Sequence, residues 1–244
     1  MPTANIVSSH SEYVIGNSGA GGSLAASAAL ANGTSVGNTA NTLIPTYFLL
    51  SGFNLFFNYR SFLAFDLSGE SGTVTGVSLT LTRNVNTNNP TLHFLASEAS
   101  DSVATSDYLD GIIGASSYPF TSDATEFTDS GINMNADGGS AGDTVTITLN
   151  SAAVTHANAV IGSGKFKVAI VNEFDFNNTW SSSGLSDAFA VQGAYFRSTQ
   201  HSDTSSHPVL NVTTAAGDTA LSSTKRFKLN SGHLNIKGGS LIIK

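Results

Sequence analysis

The chain has 244 residues, no cysteine, and charged residues at only 11% of its length, against about 25% in an average soluble domain. Its formal charge of −7 is unevenly spread: residues 1–218 hold all 17 acids against five bases, whereas the five bases after position 218 (Lys225, Arg226, Lys228, Lys237 and Lys244) face no acid. The absent cysteines exclude a disulfide framework and a thiolate metal centre, and an acidic body excludes nucleic acid as its main partner, because phosphate binding needs a basic stripe.

Met1-Pro-Thr-Ala-Asn-Ile-Val has neither the basic start nor the long apolar run of a secretory leader, and no stretch reaches membrane-spanning length. Residues 1–46 carry one formal charge, Glu12, and are dominated by Gly, Ala, Ser and Asn. With few groups to form a core of their own, they read as an extended N-terminal arm lying on the body or on a neighbouring subunit. Aromatic residues then crowd positions 47–67. Within that run Arg60-Ser-Phe-Leu-Ala-Phe-Asp-Leu is apolar at both alternating sets of positions, which predicts a central strand buried on both faces. Val77-Ser-Leu-Thr-Leu-Thr alternates strictly and predicts a half-buried antiparallel strand.

Further short alternating runs occur at Leu92–Leu95, Val145–Leu149, Phe166–Val171, Phe189–Gln192, Ala194–Arg197 and Val209–Val212. Only Ser151–Val160 reads as a helix, with Ser151 as N-cap and Gly162 beyond its end. Many short strands with one helix predict an all-β body, a β-sandwich of jelly-roll type over residues 47–214. The order of four pieces, Arg60-Ser-Phe-Leu-Ala-Phe-Asp-Leu-Ser, Val74-Thr-Gly-Val-Ser-Leu-Thr-Leu-Thr, Thr144-Val-Thr-Ile-Thr-Leu-Asn and Ala194-Tyr-Phe-Arg with His207-Pro-Val-Leu-Asn-Val-Thr, resembles the DNRLRE-type, carbohydrate-module-like domains of bacterial surface proteins. That resemblance implies the same jelly-roll fold over about 47–214, and it implies no function.

The segment 215–244 differs from the body. It repeats a seven-residue unit, Phe227-Lys-Leu-Asn-Ser-Gly-His, Leu234-Asn-Ile-Lys-Gly-Gly-Ser and Leu241-Ile-Ile-Lys. Apolar residues two apart are strand spacing, and a glycine in each period forbids a coiled coil, so the tail reads as three short strands joined by glycine turns. Phe227, Leu229, Leu234, Ile236, Leu241 and Ile243 would line one face too small to stand alone in water, which makes them the expected assembly interface.

The chemistry-bearing residues are sparse. No nucleophile elbow, phosphate loop, dinucleotide fingerprint or zinc helix occurs. His201, His207 and Asp203 share one polar loop, Gly138–Asp143 reads as a plain turn, and Asp101, Asp107 and Asp110 or Glu173 and Asp175 are the acid clusters that calcium binding or glycoside hydrolysis would need. In the stretch Phe174-Asp-Phe-Asn-Asn-Thr-Trp, read as a polar loop, Trp180 could stack on a sugar ring while Asp175, Asn177 and Asn178 bond its hydroxyls; the other reading is that Trp180 caps the core. These features point to a non-enzymatic virion component, made in a host cytoplasm and carried on the extracellular particle: a bacteriophage head decoration or cement protein, or a neck or fibre component. Its expected partners are other virion proteins and further copies of itself, with a trimer favoured. It is expected to use no cofactor or metal and to engage neither nucleic acid nor membrane. The alternative is a surface or secreted carbohydrate-binding module or adhesin, whose partner would be a host-surface glycan.

Overall fold

A computed structural model describes residues 2–17, 30, 32–37, 42–43, 46–50, 55–87, 90–115, 118, 120, 123–134, 140–179 and 191–215. Thirteen strands occur in the order β1 (Thr3–Val7), β2 (His10–Asn17), β3 (Ser35–Gly37), β4 (Thr42–Leu43), β5 (Thr46–Leu50), β6 (Leu55–Asp66), β7 (Val74–Thr87), β8 (Thr91–Ala96), β9 (Ile132–Asn133), β10 (Thr144–Thr148), β11 (Lys165–Asn172), β12 (Val191–Arg197) and β13 (Val209–Thr214). Among the described residues three α-helices, α1 (Asp107–Asp110), α2 (Ser151–Val160) and α3 (Glu173–Asn177), and a 3-10 turn at Thr204–Ser206 join these thirteen strands. No helix among the described residues is long and apolar enough to cross a membrane.

The strands form an all-β sandwich of two antiparallel sheets. The first sheet runs β1-β13-β7-β10. In the second, β6 is central: β2 covers one of its edges, and β11 and β5 follow one another along the opposite edge. Beyond β11 come β8 and β9, beyond β5 comes β12, and β3 lies outside β2. The two sheets are joined through β7, whose first part pairs with β13 and β10 while Arg83–Thr87 pair with β12 across a register shift.

Period-two alternation explains how this sandwich fills. Leu63 and Phe65 of β6 with Leu67 just beyond it, Val77, Leu79 and Leu81 of β7, Val145 and Ile147 of β10, and Phe166, Val168 and Ile170 of β11 meet between the sheets. The alternate residues of the second sheet do not reach water. Phe62, Leu95, Ala169 and Val171 pack against Ala99, Val103, Tyr108, Ile112, Phe120 and Phe176, a second core roofed by the segment after β8 and by α1 and α3. Arg60–Phe65 is therefore buried on both faces, as its pattern predicts, while Asp66 at the strand's end is exposed. The outer face of the first sheet stays open. Its rows of Thr3, Asn5 and Val7, then Thr213, Asn211 and Val209, then Ser78 and Thr80, then Thr148, Thr146 and Thr144 carry no formal charge.

β1 and β2 give residues 3–17 of the expected arm a place on the body: β1 extends the first sheet, and β2 pairs with β6 from His10↔Ala64 to Asn17↔Phe57, burying Tyr13 and Val14. The Gly- and Ser-rich remainder dilutes the alternation of this short segment when the whole stretch is averaged. The helix at 151–160 is present, but Asn150 rather than Ser151 caps it, its Oδ1 accepting from the backbone N of Ala152 (3.0 Å) and Ala153 (3.3 Å). Beyond its end, Gly162 takes φ +76°, which suits glycine. The expected tail strands lie outside the described residues.

Candidate functional site

A dense, buried polar cluster lies inside the second core. Arg60 on β6 is fully buried, and a buried guanidinium must find acceptors or pay its whole desolvation penalty. Asp175 supplies them as a bidentate partner, with Arg60 Nε donating to Oδ2 at 2.7 Å and Nη2 donating to Oδ1 at 2.8 Å. Nη1 donates to the Tyr108 carbonyl at 2.6 Å, while the guanidinium lies 3.8 Å from the Tyr108 ring centroid and 4.5 Å from that of Phe120. Burial is the largest influence on the Arg60 guanidinium and pushes it down, but the charge of Asp175, the hydrogen bonds to it and the smaller influences of Tyr108 and Tyr118 together outweigh burial and hold the group above its ordinary range. Around the pair, Asn58 Nδ2 donates to the Tyr108 hydroxyl at 2.9 Å, and Asn172 Nδ2 donates to Asn58 Oδ1 at 3.1 Å. Burial pushes the Tyr108 phenol well up, a shift that the Arg60 charge partly opposes.

The sequence places Asp175 here through α3. Asn172 ends β11 and caps the helix, its Oδ1 accepting from Asp175 N at 2.9 Å, and Asn178 closes it in the left-handed conformation at φ 52°. What reads as a polar loop is thus a capped turn of helix, and the Asn172-x-x-Asp175 spacing was the signal for it. Of the four residues expected to hold a sugar, Asp175 is 0% exposed with both carboxylate oxygens committed to Arg60, so it cannot reach a ligand in solution. Asn177 and Asn178 are exposed beside it, and Trp180 lies outside the described residues, as do Phe227, Leu229, Leu234, Ile236, Leu241 and Ile243.

Other acids have separate local uses. Asp101 accepts from Lys165 at 2.7 Å and lies 3.2 Å from Lys167, and these lysines, Lys165 first, hold its carboxyl below the usual range. Asp107 Oδ2 accepts from the Ala104 backbone N (2.7 Å) and from Ser100 Oγ (2.8 Å). In the turn before β10, Asp143 Oδ2 accepts from Ser140 N at 2.7 Å and Gly142 takes φ +93°, so residues 140–143 form the plain turn expected of them. Glu126 pairs with His93 at Nδ1 (2.7 Å), whose ring stacks on Phe176 at 3.9 Å and whose Nε2 is enclosed without a hydrogen-bond partner among the described residues. A second buried arginine, Arg83, 1% exposed, sits where β7 passes between sheets; its Nε and Nη1 have no partner among the described residues.

A broad polar opening lies elsewhere. Where β1 turns into β2, Ser8, Ser9, His10, Ser11 and Glu12 form one wall of a cleft of about 400 Å³, and Thr199, Gln200 and His207 form the other. Ser11 Oγ and Thr199 Oγ1 lie 2.9 Å apart and Thr199 N donates to Ser11 Oγ at 2.8 Å, which ties the two walls together. His201 and Asp203 lie behind this cleft: Asp203 pairs with Arg197 at 3.0 Å, and His201 presents its carbonyl to His207. Among the described residues no three His, Asp or Glu side chains gather closely enough to hold a metal ion. Sequence reasoning grouped His201, His207 and Asp203 but missed His10 and Glu12, which come from the far end of the chain. No protein-family model matches this chain, and no curated protein matches it.

Proposed function

We propose that the chain is a non-enzymatic structural component of a virus particle, in the class of bacteriophage head decoration, cement, neck or fibre proteins, and that it works through subunit contacts. The observation that carries this reading is the first sheet. Its two edge strands, Thr3–Val7 and Thr144–Thr148, contain no charge and no proline, and among the described residues nothing pairs with their outer edges. Proteins that work alone blunt such edges with lysine, proline or a bulge. Here the open edges flank an uncharged face on which Val7, 51% exposed, is the most exposed large apolar residue described. A surface of this kind fits strand addition or flat packing against another subunit. The same reading keeps the sandwich as a jelly roll, the tail as a further contact, and a closed oligomer, a trimer by preference, as the working state.

Placing a lysine at Asn5 and another at Thr146 tests it, since both side chains are exposed on this face at opposite edges. The expected result is self-association or particle binding weakened by about tenfold or more, about 1.4 kcal/mol, with an unchanged melting temperature. Sedimentation velocity of the full chain, alone and with assembled particles, reads it. A double variant that assembles like the parent overturns the reading.

A further inference from the structure

We infer that copies of this chain join head to tail by strand pairing, the open edge of β10 in one copy receiving β1 of the next, so that the first sheet runs on from subunit to subunit. The inference rests on the subunit reading above and names the strands that meet.

Parity identifies the backbone groups left open on the two edges. In an antiparallel pair, alternate residues point their N–H and C=O at the neighbouring strand, and the residues between point theirs away. On β10 the inward set is odd-numbered: at the two ends of its ladder with β7, Arg83 N donates to the Asp143 carbonyl at 2.8 Å and Leu149 N to that of Val77 at 3.0 Å. Thr144, Thr146 and Thr148 therefore each direct a donor and an acceptor at the open side. That open stretch ends at Asn150, whose N donates to the Phe127 carbonyl at 2.8 Å. On β1 the inward set is even-numbered, since Thr214 N donates to the Pro2 carbonyl at 3.1 Å and Ser8 N to that of Pro208 at 2.9 Å. Thr3, Asn5 and Val7 present the matching donors and acceptors.

Direction, length and side-chain face agree with these sets. Each step from β1 to β13, to β7 and to β10 is antiparallel, so β10 runs opposite to β1. A copy set alongside in the same orientation thus brings its β1 antiparallel to β10. Both strands have five residues. With Thr146 opposite Asn5 of the next copy, Thr144 meets Val7 and Thr148 meets Thr3, all as hydrogen-bonded pairs with exposed side chains on the uncharged outer face. Val145 then meets Ile6 and Ile147 meets Ala4 on the core side, where Ala4 and Ile6 are only partly buried in the single chain and gain cover. Pairing either edge with its own copy about a twofold axis would leave the other edge open, whereas head-to-tail pairing closes both with one interface.

The chain has no cysteine, so engineered ones report the pairing without background. Opposite residues of a hydrogen-bonded antiparallel pair have Cα atoms about 5.5 Å apart, within reach of a disulfide. The full chain is prepared as Asn5→Cys, as Thr146→Cys and as the double variant, each replacing only exposed side chains, and is mildly oxidised. The double variant is expected to give disulfide-linked multimers that a reductant collapses to single chains, with both single variants unlinked and every reduced melting temperature unchanged. A single variant that links to itself overturns the inference in favour of twofold pairing. An unlinked double variant also overturns it, whether the edge is then free or covered by another segment such as the tail. Sedimentation of the parent separates this from the subunit reading: a parent that associates while the double variant stays unlinked overturns the strand pairing alone, and a parent that stays a monomer both by itself and with assembled particles overturns both.

Discussion

Arg60 and Asp175 show how a lone charge in an apolar strand is accommodated. Their pairing is bidentate, wholly buried and braced by two asparagines and a tyrosine. Removing one partner strands the other in the core, and breaking such a pair costs about 3–5 kcal/mol, whereas replacing both by apolar groups is often neutral. Arg60→Met alone is therefore expected to lose several kcal/mol, and Arg60→Met with Asp175→Leu to recover most of it; urea unfolding of the three proteins separates a structural pair from any other role. Position 60 showed in the sequence as a charge inside a doubly apolar run, which calls for a buried counter-charge. Nothing in the sequence said which acid supplies it, because the distance between β6 and α3 is set by the whole sheet.

His156 gives the residue scale a pH dependence. It sits on α2 with its ring 5.5 Å from Phe127 and 5.3 Å from Phe166, and its Nε2 is enclosed without a partner among the described residues. Burial lowers its pKa, so the unfolded chain takes up the proton first as pH falls. The stability that the neutral ring contributes is complete above the unfolded value, about 6.5, and is lost as pH drops from there through the lower folded value. The melting temperature is expected to fall between about pH 7 and pH 5. His156→Phe is expected to flatten that part of the profile in calorimetric scans. The lowered carboxyls Asp66, Asp101 and Asp203 act only at more acid pH, below about 3.9, so the two windows are distinct.

At the scale of elements, the N-terminal strands decide what counts as the body. β2 covers one edge of the central strand and buries Tyr13 and Val14, each worth roughly 1.5–3 kcal/mol. Gly37 on β3 closes against the Tyr13 ring so tightly that a β-carbon there would collide with it. A chain lacking residues 2–17 is expected to be unfolded or to melt many degrees lower, as circular dichroism would show; a truncation that melts like the parent would mean that β6 tolerates an open edge. The strands with strict alternation, β6, β7, β10, β11 and β13, were legible from sequence because one face or both needed apolar residues. Three things were not. β2 was hidden by the composition of its flanks, α3 by being too short, at five residues, to repeat a helical hydrophobic pattern, and the cleft by joining residues nearly 200 positions apart, such as Ser11 and Thr199.

For the whole molecule, charge is the organising feature. In the role proposed above, the acidic body and the basic tail would meet across a subunit boundary, covering the apolar residues of the tail's seven-residue repeat. Replacing Leu234 and Ile236 by aspartate is expected to reduce oligomerisation while leaving the melting temperature of the sandwich unchanged. Sedimentation and calorimetry of that double variant check it, and a fully assembled variant would rule out a docking role for the tail.

The proposed role in a particle would also require the protein to bear load, and here the path of β7 matters. Two stacked sheets in an ordinary sandwich are held to each other only by side-chain packing, so a shearing force can slide one layer over the other. In this chain the backbone from Val74 to Thr82 belongs to one layer and from Arg83 to Thr87 to the other, each part clamped by its own partners. A pull entering through β1 and β13 crosses a hydrogen-bond ladder into β7, runs along the covalent backbone of that strand and leaves through a second ladder into β12, and the layers cannot slip until β7 is stripped from β13 and β10 on one side or β12 on the other. The sandwich is therefore built to yield by tearing hydrogen-bond ladders rather than by gliding across its core.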